Sequence, residues 1–199
     1  MNAYQNFLDF FSMNNRERLD GLSEIYFTDM TREERAMAFE YLLKMVEEGG
    51  SRESVNGLFI VDAERAAPVV RKLLEAHQLR EDAEIAAAWN LNRGQRDSSL
   101  IPVFIRLMSS SDKYNRANAA FYVPADDFTP ELDAALKGMI RTETETLPLV
   151  NATNKYLECY GITRESVSKE EFSHFYRGLR SDEARDKEAM FKELEKLFQ

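Results

Sequence analysis

GLFIVDAERAAPVVRKLLEA, residues Gly57 to Ala76, is answered by AAAWNLNRGQRDSSLIPVFIRLM at Ala86 to Met108 and by NAAFYVPADDFTPELDAALKGMI at Asn118 to Ile140. Each phrase reads as a small-residue helix, a polar turn holding Asp, and a second helix with paired apolar residues. Pro68 and Pro102 stand 34 residues apart, and the pairs Leu73/Leu74, Leu107/Met108 and Met139/Ile140 recur at 34 and 32. A period in the thirties built from two helices predicts a stacked helical solenoid, because one helix pair cannot cover its own apolar face without neighbours.

Outward from the repeat, the punctuation agrees. Tyr4, Phe7, Leu8 and Phe11 fall on one helical face, and Leu19, Leu22, Ile25 and Tyr26 form a second stripe. Thr31 with Glu34 predicts a capping box that starts a helix through Met37, Phe39, Leu42, Leu43 and Val46, and Gly49-Gly50 supply a left-handed stop. Ser51 caps the next helix, which runs to a turn at Asp62, and Pro68 is expected in the first turn of the helix that follows. Repeat two begins near Glu81, with Ile85, Ala88 and Trp89 on one face, and turns through Asn92-Arg93-Gly94. Thr129-Pro130 opens the second helix of repeat three. A partial fourth unit starts near Thr146 and ends at Gly161. Ser168 with Glu171 then predicts another capping box. The last helix sets Met190, Phe191, Leu194, Leu197 and Phe198 against Lys187, Glu188, Lys192 and Glu193 on its polar side.

The repeat phrases, with Asp62 or Asp97 in the turn, Pro68 or Pro102 early in the second helix and Leu73/Leu74 or Leu107/Met108 after it, resemble short bacterial HEAT-like repeats over Ser51 to Gly161. Trp89 stands where the family has small or aliphatic residues, Ala134 where proline would align, and Gly57 has no counterpart in repeat two. The expected fold is all-α: a right-handed α-solenoid of stacked antiparallel helix pairs in one domain of residues 1–199. Its parts are an N-terminal helical cap at 1–50, repeats at 51–161 and a C-terminal cap at 162–199. The resemblance implies protein–protein interaction along the surface formed by the second helices, with some relatives handling chromophores or DNA.

Composition bounds the function. With 199 residues, 44% of them hydrophobic, the chain can bury a sizeable core. No apolar run approaches the roughly 18 residues of a membrane span, and MNAYQNFLDFF lacks the basic start of a signal peptide, so a cytoplasmic protein without membrane contact is expected. Cys159 is the only cysteine, which leaves no internal disulfide, and the sequon Asn151-Ala152-Thr153 reads as chance. A net charge of -9 argues against broad nucleic-acid binding and suits a basic partner, although a negative balance also serves solubility alone.

The search for chemistry is mostly negative. The sequence holds no phosphate loop, no GxSxG, no HExxH, no CxxC and no calcium loop. His77 and His174 are too few and too far apart for a metal site, so neither metal nor cofactor is expected. Cys159 sits between Leu157 and Tyr160 and reads as a buried inert thiol, in preference to a nucleophile served by His174. The acid pairs Asp126/Asp127 and Glu143/Glu145 read as turn residues, and Trp89 as core filler in preference to a stacking platform.

One set of charges offers a candidate binding surface. Arg71, Lys72, Arg106, Lys137 and Arg141 fall on the second helices, and equivalent positions of successive repeats line up as a ladder. The alternative is that they pair with acids such as Glu75 and Glu64 on a solvated face. The leading expectation is a non-catalytic protein-binding module, such as an immunity or antitoxin-like inhibitor of a toxin or other basic protein, acting as a monomer or homodimer. Two others stay open: a nucleic-acid binder resembling the HEAT-like DNA glycosylases, using the basic stripe with Trp89 or Tyr122, and an enzyme such as a lyase on a bound chromophore.

Overall fold

The computed structural model describes residues 3–13 and 21–197, and among them there are helices and no strands, as the all-α expectation requires. Leu19 and Phe198, named in the apolar stripes, lie outside the described residues. Backbone contacts divide the chain into two units, Met1–Asp97 and Ser98–Gln199. The division falls inside the second repeat phrase, leaving its first helix in one unit and its second helix in the other.

In the first unit, α1 (Ala3–Ser12), α2 (Ile25–Thr28) and α3 (Arg32–Glu47) meet through their rings. The Phe7 centroid lies 5.4 Å from Phe27 and 5.7 Å from Tyr41, and Phe10 lies 5.3 Å from Tyr26. Each buried ring of this knot removes enough apolar area from water to contribute about 1.5–3 kcal/mol. Ile25, expected on the second stripe, is 76% exposed instead. It opens a helix of a single turn, too short to carry a continuous stripe. The capping box forms as expected, with Thr31 Oγ1 accepting from the Glu34 N–H at 3.2 Å and Glu34 Oε2 accepting from the Thr31 N–H at 2.8 Å. Gly49 and Gly50 both take positive φ and stop α3.

The helix α4 (Arg52–Glu75) contains the expected turn as one residue: Asp62 has φ -159 and ψ 92, and its Oδ1 accepts from the Arg65 N–H at 3.1 Å. Asp62 thus ends one helix and caps the next without a loop. Counting from that cap, Pro68 stands sixth in the restarted helix, beyond the first turn where it was expected, so the Glu64 carbonyl receives no bond from position 68. α5 (Glu81–Gly94) continues through Asn92, Arg93 and Gly94, and the turn lies just after them. Its alanines pack closely, with Ala83, Ala87 and Ala88 fully buried. The first half of α4 runs parallel to α5: the Arg52 N–H donates to Asp82 Oδ2 at 3.0 Å, and Asn90 Nδ2 donates to Asn56 Oδ1 at 2.7 Å.

The second unit holds α6 (Ile101–Leu107), α7 (Lys113–Tyr122), α8 (Pro130–Thr142), α9 (Thr146–Cys159), α10 (Lys169–Leu179) and α11 (Ala184–Leu197). Asp112 caps α7 through two N–H groups, and Thr129 caps α8 with Pro130 at the first position. Only half of the expected box at Ser168 forms: its Oγ accepts from the Glu171 N–H, and no return bond from the Glu171 side chain is present. Gly161, at positive φ, ends α9.

Here too the first helices run parallel, with Lys113 Nζ on Glu145 at 3.1 Å and Asn151 Nδ2 on the Ala117 carbonyl at 3.0 Å. α11 breaks the pattern by running antiparallel to α8, since Lys137 meets Glu195 whereas Arg141 meets Glu188. Its faces also differ from the expected sorting. Lys187 is buried and donates to the Ile140 carbonyl at 2.7 Å, and Leu197 is 57% exposed.

Candidate functional site

The five basic residues proposed from the repeat alignment occupy α4 (Arg71, Lys72), α6 (Arg106) and α8 (Lys137, Arg141). Arg71, Lys137 and Arg141 meet acids. Arg71 Nη1 lies 2.8 Å from Asp97 Oδ2, the aspartate of the second repeat's turn. Lys137 Nζ donates to Asp133 Oδ2 at 2.7 Å and to Glu195 Oε1 at 2.6 Å. Arg141 grips Glu188 with two bonds, of 2.6 and 3.1 Å. Lys72 and Arg106 are exposed. The acids expected to pair with them, Glu75 and Glu64, are not the ones engaged.

Around Lys137 the charges form a network. Burial opposes its positive charge, but the hydrogen bonds to Asp133 and Glu195 outweigh that and hold the ammonium above its ordinary pKa. Its Nζ sits 5.9 Å from the Tyr156 ring centre and 5.8 Å from that of Phe191, within cation–π range. Arg141 lies over the same Phe191 ring, and its bond to Glu188 holds that carboxylate below the usual range. Lys137 and Arg141 therefore fasten α11 to α8 and α9.

The residues considered for catalysis are placed apart in role. Burial pushes the Cys159 thiol up to about 12, which leaves it protonated and a poor nucleophile near neutrality. His174 faces Glu193 at 3.2 Å, and His77 is exposed with φ 53 at the end of α4. Among the described residues no three His, Cys, Asp or Glu side chains gather to hold a metal ion. Trp89 is half-buried, and the Arg93 guanidinium lies 4.5 Å from its ring centre. Asp126 and Asp127 sit in a 3-10 turn.

Glu143 and Glu145 serve a clamp that the sequence reading missed. Arg116 donates from Nε and Nη2 to Glu143 at 2.6 and 3.1 Å, and from Nη1 to the carbonyls of Ser110 and Ser111. One side chain thereby joins the turn before α7 to the turn after α8. Nothing local in the sequence marks it, because the partners stand 27 residues apart.

Two grooves flank second helices. In the first unit a cavity of about 780 Å³ is lined by Phe59, Ile60, Pro68, Arg71, Asn90 and Arg93. In the second unit a cavity of about 910 Å³ is lined by Ile105, Met108, Ala134, Ala135, Gly138 and Thr142, on α6 and α8. Ser109, Arg116, Glu131 and Glu143 line it as well, so the groove is mixed in character, with short side chains at Ala134, Ala135 and Gly138 that leave room for a ridge from another molecule. Among the described residues no helix is long and apolar enough to cross a membrane. In comparisons with known proteins the chain matches no family model, no curated protein and no solved structure.

Proposed function

We propose that the chain is a non-catalytic protein-binding module, folded as a short HEAT-like α-solenoid whose second helices form the wall that meets its partner. One observation carries the reading: a side-chain amide joins parallel first helices at the same spacing in both units. Asn90 bonds Asn56 in the first unit and Asn151 bonds Ala117 in the second, each across 34 residues. Contacts between first helices at an equal sequence spacing are what stacked repeats would make.

In this reading the contact surface is the groove of α6 and α8, whose acids Glu131 and Glu143 suit a basic partner, and Arg71, Lys137 and Arg141 hold the fold together through their acids. A chain of net charge -9 favours a basic protein as partner, in the manner of an immunity-like inhibitor or an adaptor. The paired cations weigh against the nucleic-acid reading, since a phosphate backbone would have to displace carboxylates already in place.

The test is affinity capture from the native cell with mass spectrometry, run in parallel on Ala135→Arg, which fills the groove, and on Met37→Glu, which alters an exposed residue of the first unit. The reading expects a basic protein retained by the wild-type chain and by Met37→Glu and lost with Ala135→Arg at unchanged helicity. Retention by all three, no retained protein, or capture of nucleic acid in its place would overturn it.

A further inference from the structure

We infer that the outward face of α7 and α9 is a self-association surface whose occupant is a second copy of this chain. Tyr114 is 60% exposed, Phe121 57% and Leu147 49%, a cluster of exposed apolar side chains on two neighbouring helices. Tyr114 and Phe121 are seven residues apart, two helical turns, so they share a stripe that drifts by only about 20°. The opposite side of α7 is the buried one, carrying Ala117, Ala119 and Ala120. On α9 the buried side holds Pro148, Ala152, Thr153 and Tyr156, which turns Leu147, Val150 and Asn154 outward. The parallel register set by Lys113–Glu145 and Asn151–Ala117 brings Leu147 level with the turn of α7 that carries Tyr114.

Charge selects the occupant. The outward residues Tyr114, Asn115, Asn118 and Phe121 of α7 and Leu147, Val150 and Asn154 of α9 carry none, in a chain with 31% charged residues, and Glu158, exposed one turn beyond Asn154, is neutralised by Lys155 at 2.7 Å. The nearest ionic groups, Lys113 and Glu145, neutralise each other. Two copies of a chain at -9 repel through faces that bear its net charge, but meet here without like-charge contact. A basic partner, by contrast, gains nothing from this face.

The pattern is also complementary to itself. Tyr114 and Phe121 lie about 10.5 Å apart along α7, at 1.5 Å rise per residue. If two copies of α7 cross antiparallel about a two-fold axis near Asn118, Tyr114 of each copy meets Phe121 of the other. Asn118, with a donor and an acceptor on one carboxamide, can then bond its own counterpart across the axis.

Sedimentation of the full chain over a concentration series tests this, using Phe121→Glu, Tyr114→Glu and, as control, Met37→Glu. The expected result is a mass rising from 23.0 kDa toward twice that value, unchanged in Met37→Glu. Either glutamate substitution weakens the dimer at least about tenfold, by placing unpaired carboxylates in the contact. In a Cys159→Ser background, Asn118→Cys forms a disulfide with its own counterpart on mild oxidation. A 23.0 kDa species at every concentration, a dimer indifferent to both glutamates, or a dimer in which Asn118→Cys does not cross-link would overturn the proposal.

Discussion

Asn90 donates one amide hydrogen to Asn56 at 2.7 Å and another to the carbonyl of Ala86 at 2.9 Å, so a single buried carboxamide ties α5 to α4 and to its own preceding turn. Few groups could replace it, because the position needs two N–H donors at once. Asn90→Ala should lower stability by about 1–2 kcal/mol, from two lost hydrogen bonds and a small void. Denaturant melts of Asn90→Ala, Asn56→Ala and the double variant would measure it, with a coupling of about 0.5–1.5 kcal/mol expected between the two sites. Strict additivity would mean that the bond contributes nothing.

Gly57 stands where side chains from elsewhere in the first unit close in. A methyl built there would lie 2.7 Å from Leu22 Cδ2 and 3.0 Å from Leu42 Cδ1. Gly57→Ala therefore gains helix propensity but forces both leucines to move, and overpacking of this kind costs about 1–3 kcal/mol. The expected outcome is a lower melting temperature, and a rise would show that the leucines repack freely.

Local signals were legible and distant ones were not. Thr31 with Glu34, Gly49-Gly50 and Thr129-Pro130 marked helix ends because each acts on backbone within a few residues. Asp62 was found as a turn for the same reason, although its compression to one kinked residue depends on how the two halves of α4 pack. The basic residues were found as surface positions, but their acids were not. Glu188 and Glu195 reach Arg141 and Lys137 across 47 and 58 residues, on a helix that lies outside the repeat phrases. Lys187 was assigned to the polar side by residue type, yet its ammonium satisfies a free carbonyl at the end of α8 while its stem packs inside. Asn56 and Asn90 did carry a signal, since identical residues stand one repeat period apart.

His77 ends α4 in the left-handed conformation that glycine adopts without strain, with φ 53 and with the Gln78 N–H bonded to the Leu73 carbonyl at 3.0 Å. Its ring, mostly exposed, lies 3.9 Å from Glu84, a contact of little strength at the surface. His77→Gly should stabilise the fold by about 1 kcal/mol, the penalty that a β-carbon carries in this region. Thermal unfolding would show it, and a decrease would assign the histidine an interaction worth more than its backbone strain.

Thr153 is fully buried in α9, and its hydroxyl has no hydrogen-bond partner. Valine has the same shape without the polar atom. Thr153→Val should raise stability by about 1 kcal/mol, because the unfolded chain no longer gives up a hydrated hydroxyl on folding. Thr153→Ser keeps the hydroxyl, loses a methyl and should destabilise, so the two variants moving in the same direction would contradict the assignment.

Glu143 links stability to pH. The hydrogen bonds from Arg116 hold its carboxyl below the usual value of 4.5, against the opposing effect of burial, with the backbone N–H groups of Glu145 and Thr144 adding to the depression. A folded-state pKa below the unfolded one means that the stabilisation is complete above 4.5 and disappears as the pH falls through the depressed value. Glu188, depressed by Arg141, acts in the same direction. Glu143→Gln should thus melt lower than the wild-type chain at neutral pH, with the gap narrowing as the pH falls below 4.5 and the wild-type carboxylate is protonated. Melting temperatures of both proteins across that range decide the matter: a gap independent of pH would show that Arg116 holds its two turns through geometry alone, without the charge on Glu143.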